Sequence, residues 1–403
     1  MVILGAGMGG MTLASELART EGSYELILID KNDYRIFLPS IPFIATGFEN
    51  PENAKLRILD VLDKRVKFIR SRVLRIFPER KLLKLEDSSI EFEILVIAAG
   101  ARPDYHNISG AKEYSLPLQS IEDAQAIYKH INSLVQCKER QVITVIGGGP
   151  TGITFVSLLY EFLKKHDCLD KLSIVILEAK KDILPGWSNE LRQVVREKLR
   201  TNKISLLTRS PILKLERGKI YLPTAIMASS LIIWTAGIRG AYLYSTPKLE
   251  STDKDRIRVD EYLQCVKYNN IYCIGDSSGA KDRAGTLYPQ LAQVAVQQAK
   301  YLSDLIPKYI KNQNHDLERF EFDLFQKFLQ IGYEQFVGEV NNEIIQGSTE
   351  QIIDQLRKAY EMSGDRRFIQ TVYEIEREEL RTIQNKLRKF IQDIYKSSTS
   401  EHQ

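Results

Sequence analysis

The chain has 403 residues, of which 43% are hydrophobic and 27% charged, a composition typical of globular proteins with two or three domains. Its formal net charge of +4 is small for this length, so we expect no nucleic-acid partner. No apolar run approaches the roughly 20 residues that cross a bilayer, and the first residues are already strand-like. We therefore expect neither a transmembrane helix nor a signal peptide, and a cytoplasmic location.

The first residues of the chain form a glycine-rich turn between a strand and a helix. The apolar run at 2–4 predicts a strand, and a helical pattern starts at Met11. The glycines between them are Gly5, Gly7 and Gly10. This G-x-G-x-x-G spacing allows a tight turn, close approach of the backbone to a pyrophosphate, and close packing of the helix on the strand. The next predicted strand, 24–29, ends in Asp30, which is well placed to accept hydrogen bonds from a ribose.

The same order of features recurs in the middle of the chain. A strand at 142–146 precedes a second glycine-rich turn, a helix starts at Ile153, and the next strand, 172–177, ends in Glu178. The glycines of this turn are Gly147, Gly149 and Gly152. One such unit is a weak signal, but two units that share strand, glycines, helix, strand and acidic end predict an α/β fold with a pair of Rossmann-like domains.

Glu178 also bears on the choice of nucleotide. A carboxylate at the end of this strand favours a free ribose 2′-hydroxyl, and therefore NADH over NADPH. Lys180 and Lys181 follow closely and would suit a 2′-phosphate instead, although a solvated loop is the more ordinary role for such lysines. The sequence thus predicts NADH as the nucleotide of the second unit.

Three further apolar runs, 94–100, 231–237 and 270–276, end in turns of the same type. They close on Gly100, on Gly237 and on the pair Gly275 and Asp276. With the two glycine-rich turns, they resemble the two-dinucleotide-binding flavoprotein family, in which an NAD unit is inserted into an FAD unit. The resemblance implies that these residues contact the cofactors and that Asp276 accepts hydrogen bonds from the ribityl chain of FAD. The implied domains are FAD-binding at 1–110 and 246–315, NAD(H)-binding at 111–245, and a C-terminal α+β or helical interface region at 316–403.

The segment after the first acidic strand separates the branches of that family. Residues 33–47 contain no cysteine, which excludes the thiol chemistry that disulfide reductases of this fold carry there. The segment instead resembles the Phe-x-Pro-x-x-x-x-x-Ala-x-Gly sequence of type II NADH dehydrogenases and sulfide:quinone oxidoreductases. Sulfide oxidation needs a cysteine pair beside the flavin, and neither 153–163 nor 276–300 contains a cysteine, while Cys168 lies beyond the first turns of its helix. Sulfide chemistry is therefore the second choice.

A late helix favours the NADH dehydrogenase branch. The sequence Ala-Gln-x-Ala-x-Gln, from Ala292 to Gln297, resembles the quinone-site signature of type II NADH dehydrogenases. Gln293 and Gln297 are four residues apart and share one helix face, so both amides are available to the flavin edge and to a quinone carbonyl. The resemblance implies an FAD-dependent, non-proton-pumping enzyme that passes hydride from NADH to the flavin and electrons on to a quinone.

Thr154 departs from the family pattern, which has a glutamate near the flavin at this position. We expect its hydroxyl to bond a carbonyl of the preceding turn. Because the carboxylate is lost, two alternatives stay open besides sulfide oxidation. One is an NADH-dependent reductase of a small electron-carrier protein, and the other is a slow-turnover redox sensor that binds FAD and NADH.

The remaining cysteines and histidines suggest no further chemistry. The four cysteines form no CxxC pair and no metal-ligand cluster, and we expect free thiols in a reducing compartment. The five histidines fall mostly in polar loops, where solvated side chains are the ordinary outcome. We expect no metal site and no histidine that acts as a general acid.

The C-terminal region changes in character. Short strands are predicted at 320–322, 328–333 and 336–340, and a charged helical pattern follows Ser348. That pattern contains an apolar stripe with basic neighbours, made of Leu380, Ile383, Leu387, Phe390 and Ile394. Such a stripe packs on the protein's own body, on the second subunit of a homodimer, or on an anionic membrane surface at the inner face of the cell membrane. Packing on protein is slightly favoured, because three glutamates precede the stripe and it has no tryptophan.

Overall fold

The structure is a computed structural model that describes residues 1–20, 24–241, 249–311, 318–324, 326–340 and 343–363. In its first part the strands are β1 (Val2–Leu4), β2 (Leu26–Asp30), β3 (Tyr34–Ile36), β4 (Lys55–Arg57), β5 (Val66–Arg70), β6 (Val73–Phe77), β7 (Leu82–Leu85), β8 (Ser89–Glu91), β9 (Leu95–Ile97) and β10 (Ala101–Pro103). The helices of this part are α1 (Met8–Arg19) and α2 (Ile41–Ala45).

The middle part of the chain repeats the alternation of strands and helices. Its strands are β11 (Leu116–Pro117), β12 (Gln141–Ile146), β13 (Leu172–Leu177), β14 (Ser205–Leu207), β15 (Lys214–Glu216), β16 (Lys219–Tyr221), β17 (Ile226–Ala228) and β18 (Leu231–Trp234). Its helices are α3 (Ala111–Tyr114), α4 (Ile121–Val135), α5 (Pro150–Lys165) and α6 (Asn189–Thr201).

The last part returns to the first unit before it forms a small sheet of its own. Its elements are β19 (Ile238–Gly240), β20 (Ile271–Cys273), α7 (Ala292–Ile310), β21 (Gln326–Gln330), β22 (Phe336–Val340), β23 (Glu343–Gly347) and α8 (Thr349–Ser363). Strands β21, β22 and β23 pair antiparallel in sequence order.

Two parallel sheets of the same design form the centre of the molecule. The first has the strand order β20-β9-β1-β2-β5, and the second has the order β11-β18-β12-β13-β14. All neighbouring strands in both sheets run parallel. In each sheet the strand before the glycine-rich turn is central, and the strand with the acidic end lies beside it. The predicted α/β fold with two Rossmann-like units is confirmed.

The first sheet is covered on both faces, which explains why its central strands β9, β1 and β2 are mainly apolar. Helices α1 and α7 pack against each other on one face, where the core includes Ile3, Leu13, Leu28, Tyr272 and Leu302. The antiparallel sheet β6-β7-β8 contributes Ile76, Leu83 and Leu85 to the core on the other face.

The second sheet shares its core with distant parts of the chain. The helices α4, α5 and α6 form one continuous core with α2 from the first unit and with β21 and β22 from the C-terminal sheet. Helix α4 begins with a capping box, in which the Ser120 hydroxyl accepts from the Asp123 N–H and the Asp123 carboxylate accepts from the Ser120 N–H. Helix α5 begins with Pro150 at its first position, where the missing N–H costs no hydrogen bond.

Several sequence-based expectations need correction. Helices α1 and α5 begin at Met8 and Pro150, three residues before the predicted starts. The strand prediction for 320–322 is wrong, because these residues form no strand. The Phe320 side chain is buried against the rings of Tyr288 and Tyr301, whose centroids lie 5.4 and 5.6 Å from its own. The strand at 336–340 and the helix after Ser348 are confirmed. A strand is also present near 328–333, but β21 begins at Gln326 and ends at Gln330, earlier than predicted.

The apolar stripe that begins at Leu380 lies outside the described residues.

Candidate active site

The two glycine-rich turns are tight contacts between a helix and the strand before it. A Cβ atom added to Gly10 would lie 1.9 Å from the carbonyl oxygen of Gly5, and one added to Gly152 would lie 2.2 Å from that of Gly147. Both distances are far below van der Waals contact, so the helix approaches the turn only because these residues lack side chains. The first and last glycines of each turn thus serve the helix–strand packing that the sequence predicts.

The middle glycine of each turn faces open space. Gly7 is the N-cap of α1 and Gly149 is the N-cap of α5, neither helix start is capped by a side chain, and an added Cβ at either glycine would have no atom within 4 Å. Unpaired N–H groups and the positive end of the helix dipole are available there. Both turns therefore fit a pyrophosphate against the helix N-terminus.

The two acidic strand ends form the same hydrogen bonds in both units. Asp30 accepts from the N–H of Ala6 at 2.7 Å and from that of Asn32 at 2.9 Å. Glu178 accepts from the N–H groups of Gly148 and Lys180, both at 2.8 Å. Each carboxylate is thus fixed beside its glycine-rich turn and keeps lone pairs for a ribose hydroxyl. Lys180 contributes its backbone N–H to this arrangement, which places it in the loop next to Glu178.

The remaining turns line up along the same sheet edges. Gly100, Gly237 and Gly275 follow β9, β18 and β20 with φ values of 73°, 130° and 68°. Because the carboxyl ends of parallel strands meet at one edge, the first sheet places Asp276, Gly100, the first glycine-rich turn and Asp30 in a row. The second sheet places Gly237, its glycine-rich turn and the acidic strand end in the equivalent row.

Asp276 lies in a short helical turn whose backbone is held by three polar side chains, of which those of Gln298 and Arg256 are buried. The Gly275 N–H donates to Oε1 of Gln298 at 2.7 Å, and Nε2 of Gln290 donates to the Asp276 carbonyl at 2.9 Å. Nε of Arg256 donates to the Ser278 carbonyl at 2.5 Å. Burial raises the pKa of the Asp276 carboxyl, and the positive charge of Arg256 acts in the opposite direction.

The carboxylate of Asp276 accepts no hydrogen bond from any described residue, so it is available to a ligand. Hydroxyl groups of a ribityl chain fit that acceptor, and the neighbouring glycine-rich turn fits the phosphates of the same molecule. The residues of the first edge therefore fit FAD, and those of the second fit NAD(H).

The sequence did not single out Arg256, Gln290 or Gln298. Arg256 stands in a polar stretch and the two glutamines stand among other amides, so nothing in their spacing marks them. Only the return of β20 to the first sheet brings them around one turn.

The two glutamines of the helix signature contact the backbone of the C-terminal region. Nε2 of Gln293 donates to the Gln326 carbonyl at 3.3 Å. Gln297 bonds Asp323 twice, with Nε2 donating to its carbonyl at 2.8 Å and Oε1 accepting from its N–H at 3.1 Å. Gln297 therefore anchors the segment after the helix. Gln293 keeps its amide oxygen free of hydrogen bonds from the described residues, so the two amides are not equivalent.

We expected the Thr154 hydroxyl to bond a carbonyl of the preceding turn, but the structure shows a different partner. The hydroxyl donates to the carbonyl of Gln330 at 3.0 Å, 176 residues further along the chain. One face of α5 also carries Glu161, which accepts from the N–H of Tyr333 at 2.8 Å. The position where the family pattern has a glutamate is thus part of the contact between α5 and the C-terminal sheet.

The four cysteines of the chain lie mostly in its interior. All four are free thiols, as predicted. Cys168, Cys265 and Cys273 are buried, and burial raises the pKa of Cys273 to about 12, so its thiolate is scarce at neutral pH. No cluster of potential metal ligands occurs within the described ranges. Over the same ranges, no helix combines the length and the apolar character needed to span a membrane.

Comparisons with known proteins agree with these two units. The family described as pyridine nucleotide-disulphide oxidoreductase matches residues 1–299. A probable mitochondrial NADH-ubiquinone oxidoreductase of Schizosaccharomyces pombe is 26% identical over 76% of this chain, and the match spans 62% of the S. pombe protein. A type II NADH:quinone oxidoreductase of Staphylococcus saprophyticus is 25% identical over 86% of this chain and 91% of its own length.

Among solved structures, NDH2 from Plasmodium falciparum in complex with NADH is similar in fold. It superposes with a TM-score of 0.78 at 18% identity and covers 93% of this chain and 96% of its own. At this identity the likeness supports the fold, including the C-terminal sheet beyond residue 299.

Proposed function

This chain belongs to the pyridine nucleotide-disulphide oxidoreductase family, and we propose that it passes a hydride from NADH to bound FAD and electrons on to a quinone. The observation that carries the proposal is that the two parallel sheets have equivalent carboxyl edges. Each edge carries a glycine-rich turn and an acidic residue at the end of the neighbouring strand, and neither turn contains a cysteine. The names of the relatives from Schizosaccharomyces pombe and Staphylococcus saprophyticus support the quinone as acceptor. The absence of cysteine from 33–47, 153–163 and 276–300 argues against sulfide oxidation.

The residues of this chain act by binding and orienting the reactants. The flavin supplies the redox chemistry, since it accepts a hydride and releases electrons. The helix starts at Gly7 and Gly149 would hold the two pyrophosphates, and Asp30 and Glu178 would accept from the ribose hydroxyls. Asp276 would accept from the ribityl hydroxyls. Glu178 supports NADH over NADPH, because its two backbone hydrogen bonds fix a negative charge where a 2′-phosphate would lie.

We assign the two signature glutamines different roles. Gln293 has an amide group that could orient a quinone carbonyl, whereas Gln297 is bonded on both amide atoms to Asp323. The position of Gln293 at the start of α7, near the Gly275 turn, supports this assignment. Thr154 supplies no carboxylate, so protons for the quinone would come from solvent or from water beside the flavin.

The proposal includes an FAD domain at 1–110 and 246–315, an NAD(H) domain at 111–245, and an interface region at 316–403. It also includes peripheral contact with the membrane that holds the quinone, and a homodimer. The lipid solubility of quinones supports the membrane contact.

The first test is anaerobic stopped-flow spectrophotometry of the purified full chain. NADH should bleach the flavin band near ~450 nm, a wavelength set by the cofactor, and a soluble quinone should restore it rapidly. Bleaching by sulfide and not by NADH would instead support sulfide oxidation. Slow recovery with quinone would support a redox sensor, and rapid recovery only with an iron–sulfur protein would support an electron-carrier reductase.

The glutamine variants sharpen this test. We expect Gln293→Leu to leave reduction by NADH unchanged and to slow reoxidation by quinone about tenfold, the order expected when one orienting hydrogen bond is lost. Gln297→Leu serves as the matched control, and we expect it to lower stability through loss of the Asp323 contacts. Equal quinone kinetics for Gln293→Leu and the wild type would contradict the role of Gln293.

A further inference from the structure

The turn that carries Asp276 is held by a buried cation. Arg256 has only 5% of its surface exposed. Its Nε donates to the Ser278 carbonyl at 2.5 Å, and its Nη1 donates to the Tyr288 carbonyl at 2.9 Å. The guanidinium thus joins both ends of the segment 278–288 immediately after the Gly275–Asp276 turn. The backbone beside it is fixed as well, because the Ile257 N–H donates to the Ser277 carbonyl at 2.8 Å.

Both hydrogen-bond acceptors of Arg256 are neutral carbonyls. The side chain forms no ion pair within 4.0 Å in the part of the chain that the structure describes. Asp255, the residue before it, does not compensate its charge, because that carboxylate pairs with Arg102 at 2.6 Å and Arg239 at 3.2 Å. A buried guanidinium without a counter-charge is costly, so a negative group is required close by.

Asp276 is the carboxylic acid whose charge acts on Arg256. Its carboxylate has no hydrogen-bond donor among the described residues, and it is two residues from the Ser278 carbonyl that Arg256 holds. The two groups act on each other electrostatically: the charge of Arg256 opposes the rise in the pKa of Asp276 caused by burial, and Asp276 opposes the fall in the pKa of Arg256. The two opposite charges thus influence each other without a direct ion pair, and the half-buried carboxylate is left open for a ligand.

We propose that Arg256 is a positioning residue for FAD, which fixes the Asp276 turn through the Ser278 and Tyr288 carbonyls and places a positive charge near the carboxylate that accepts the hydroxyl hydrogen bonds. The cofactor would then bind an acceptor that is already oriented and charged, at a lower cost than one that must be ordered on binding. This inference rests on the FAD-binding part of the proposed function and is independent of the electron acceptor.

A double-mutant cycle on FAD affinity tests the inference. The dissociation constant is measured on the full-length holoenzyme by dilution, with the fluorescence of released FAD as the readout. We expect Arg256→Met to weaken FAD binding about tenfold or more, because both hydrogen bonds that fix the turn and the positive charge near its carboxylate are lost. In an Asp276→Asn background, the same substitution should weaken binding less than about twofold, because the carboxylate through which it acts is gone.

The matched control is Arg258→Met, which removes the same charge from an exposed residue two positions further along the segment. It should leave FAD affinity unchanged. If Arg256→Met does not fold, Arg256→Gln replaces it, since a glutamine keeps one donor for the Ser278 carbonyl and removes only the charge. Equal losses of affinity in the wild-type and Asp276→Asn backgrounds would overturn the inference and make Arg256 a packing residue.

The pH dependence of FAD binding gives a second readout. Because the acceptor must be ionised, affinity should be lost as the pH falls through the pKa of Asp276. Without Arg256 that pKa rises further, so Arg256→Met should lose FAD at a higher pH than the wild type. Asp276→Asn should show no such step. Coinciding pH profiles for Arg256→Met and the wild type would contradict the electrostatic role. A protein that binds FAD in this way but is not reoxidised by quinone would refute the proposed acceptor alone.

Discussion

Single atoms decide the geometry of both proposed nucleotide sites, and the last glycine of each turn shows this most clearly. Alanine at Gly10 would place a methyl group 1.9 Å from the Gly5 carbonyl oxygen, and alanine at Gly152 would place one 2.2 Å from that of Gly147. The helix must move away in either variant, at a cost of about 1–3 kcal/mol for overpacking. The N–H groups that would hold the phosphates move with the helix.

We therefore predict a separation of effects between the two units. Gly10→Ala should be purified with little FAD, whereas Gly152→Ala should keep FAD and show an NADH KM raised about tenfold or more, because its defect lies in the second unit. Flavin content by absorbance and steady-state NADH kinetics measure the two effects, and each variant is the control for the other. Loss of FAD from Gly152→Ala with normal NADH kinetics would show that the assignment of the units is reversed.

Not every residue could be assigned from its sequence context. The glycines and acidic strand ends follow the spacing that a pyrophosphate and a ribose would require, so the sequence predicts them. The partner of Thr154 could not be found in this way, because Gln330 is 176 residues away and the hydrogen bond depends on how α5 and β21 pack. The environment of Asp276 was hidden for the same reason, since Arg256 and Gln298 reach the turn from different elements.

At the level of elements, the C-terminal sheet is anchored to one face of α5 by hydrogen bonds. The Thr154 hydroxyl holds the Gln330 carbonyl, and Glu161, two turns later, holds the Tyr333 N–H. Aromatic contacts extend this contact to the first unit, with the ring of Tyr333 centred 5.0 Å from that of Phe48 and 6.1 Å from that of Phe43. The C-terminal end of β21 is thus fixed against both units, while Gln293 contacts Gln326 at the start of the same strand.

We predict that Thr154→Val destabilises the protein by about 1 kcal/mol, because it leaves the Gln330 carbonyl without its donor. Thr154→Glu should destabilise it more, since an ionised carboxylate cannot donate to that carbonyl and would repel it. Thermal unfolding measures both effects, and Thr201→Val, at an exposed threonine at the end of α6, is the control. A melting temperature for Thr154→Glu at or above that of the wild type would show that the glutamate of the family pattern fits here without moving β21.

The elements that the sequence predicted best are those with glycine at their ends and apolar residues throughout. Strands β1, β12 and β18 have these features because both faces of their sheets are buried. Helices α1 and α5 were predicted to begin late, since their first turns contain glycine, proline and threonine in place of a periodic apolar pattern. The segment at Phe320 was predicted to be a strand because aromatic residues alternate there. The Phe320 side chain is instead buried by packing against the rings of Tyr288 and Tyr301, without any strand pairing.

At the scale of the whole molecule, two short strands form the connections between the parallel sheets. Strand β10 leads out of the first unit and β19 leads back, and the two pair antiparallel. Asp255 lies beside this strand pair and binds a guanidinium from each strand, Arg102 at 2.6 Å and Arg239 at 3.2 Å. One carboxylate therefore ties together both connections between the units. The relative position of the units should matter for hydride transfer, which requires the two reacting atoms to approach to about 3–3.5 Å.

We predict that Asp255→Asn slows the transfer of hydride from NADH to the flavin about tenfold while the dissociation constants of FAD and NADH stay within about twofold of the wild type. The amide keeps the size of the side chain but loses both ion pairs, so the units keep their own sites and lose part of their mutual alignment. Single-turnover reduction at saturating NADH measures the rate without interference from the quinone step. Asp253→Asn, the same change at an exposed residue two positions earlier, should reduce at the wild-type rate. If Asp255→Asn also reduces at the wild-type rate, the ion pairs of Asp255 do not align the two units, and β10 and β19 must hold them through backbone hydrogen bonds alone.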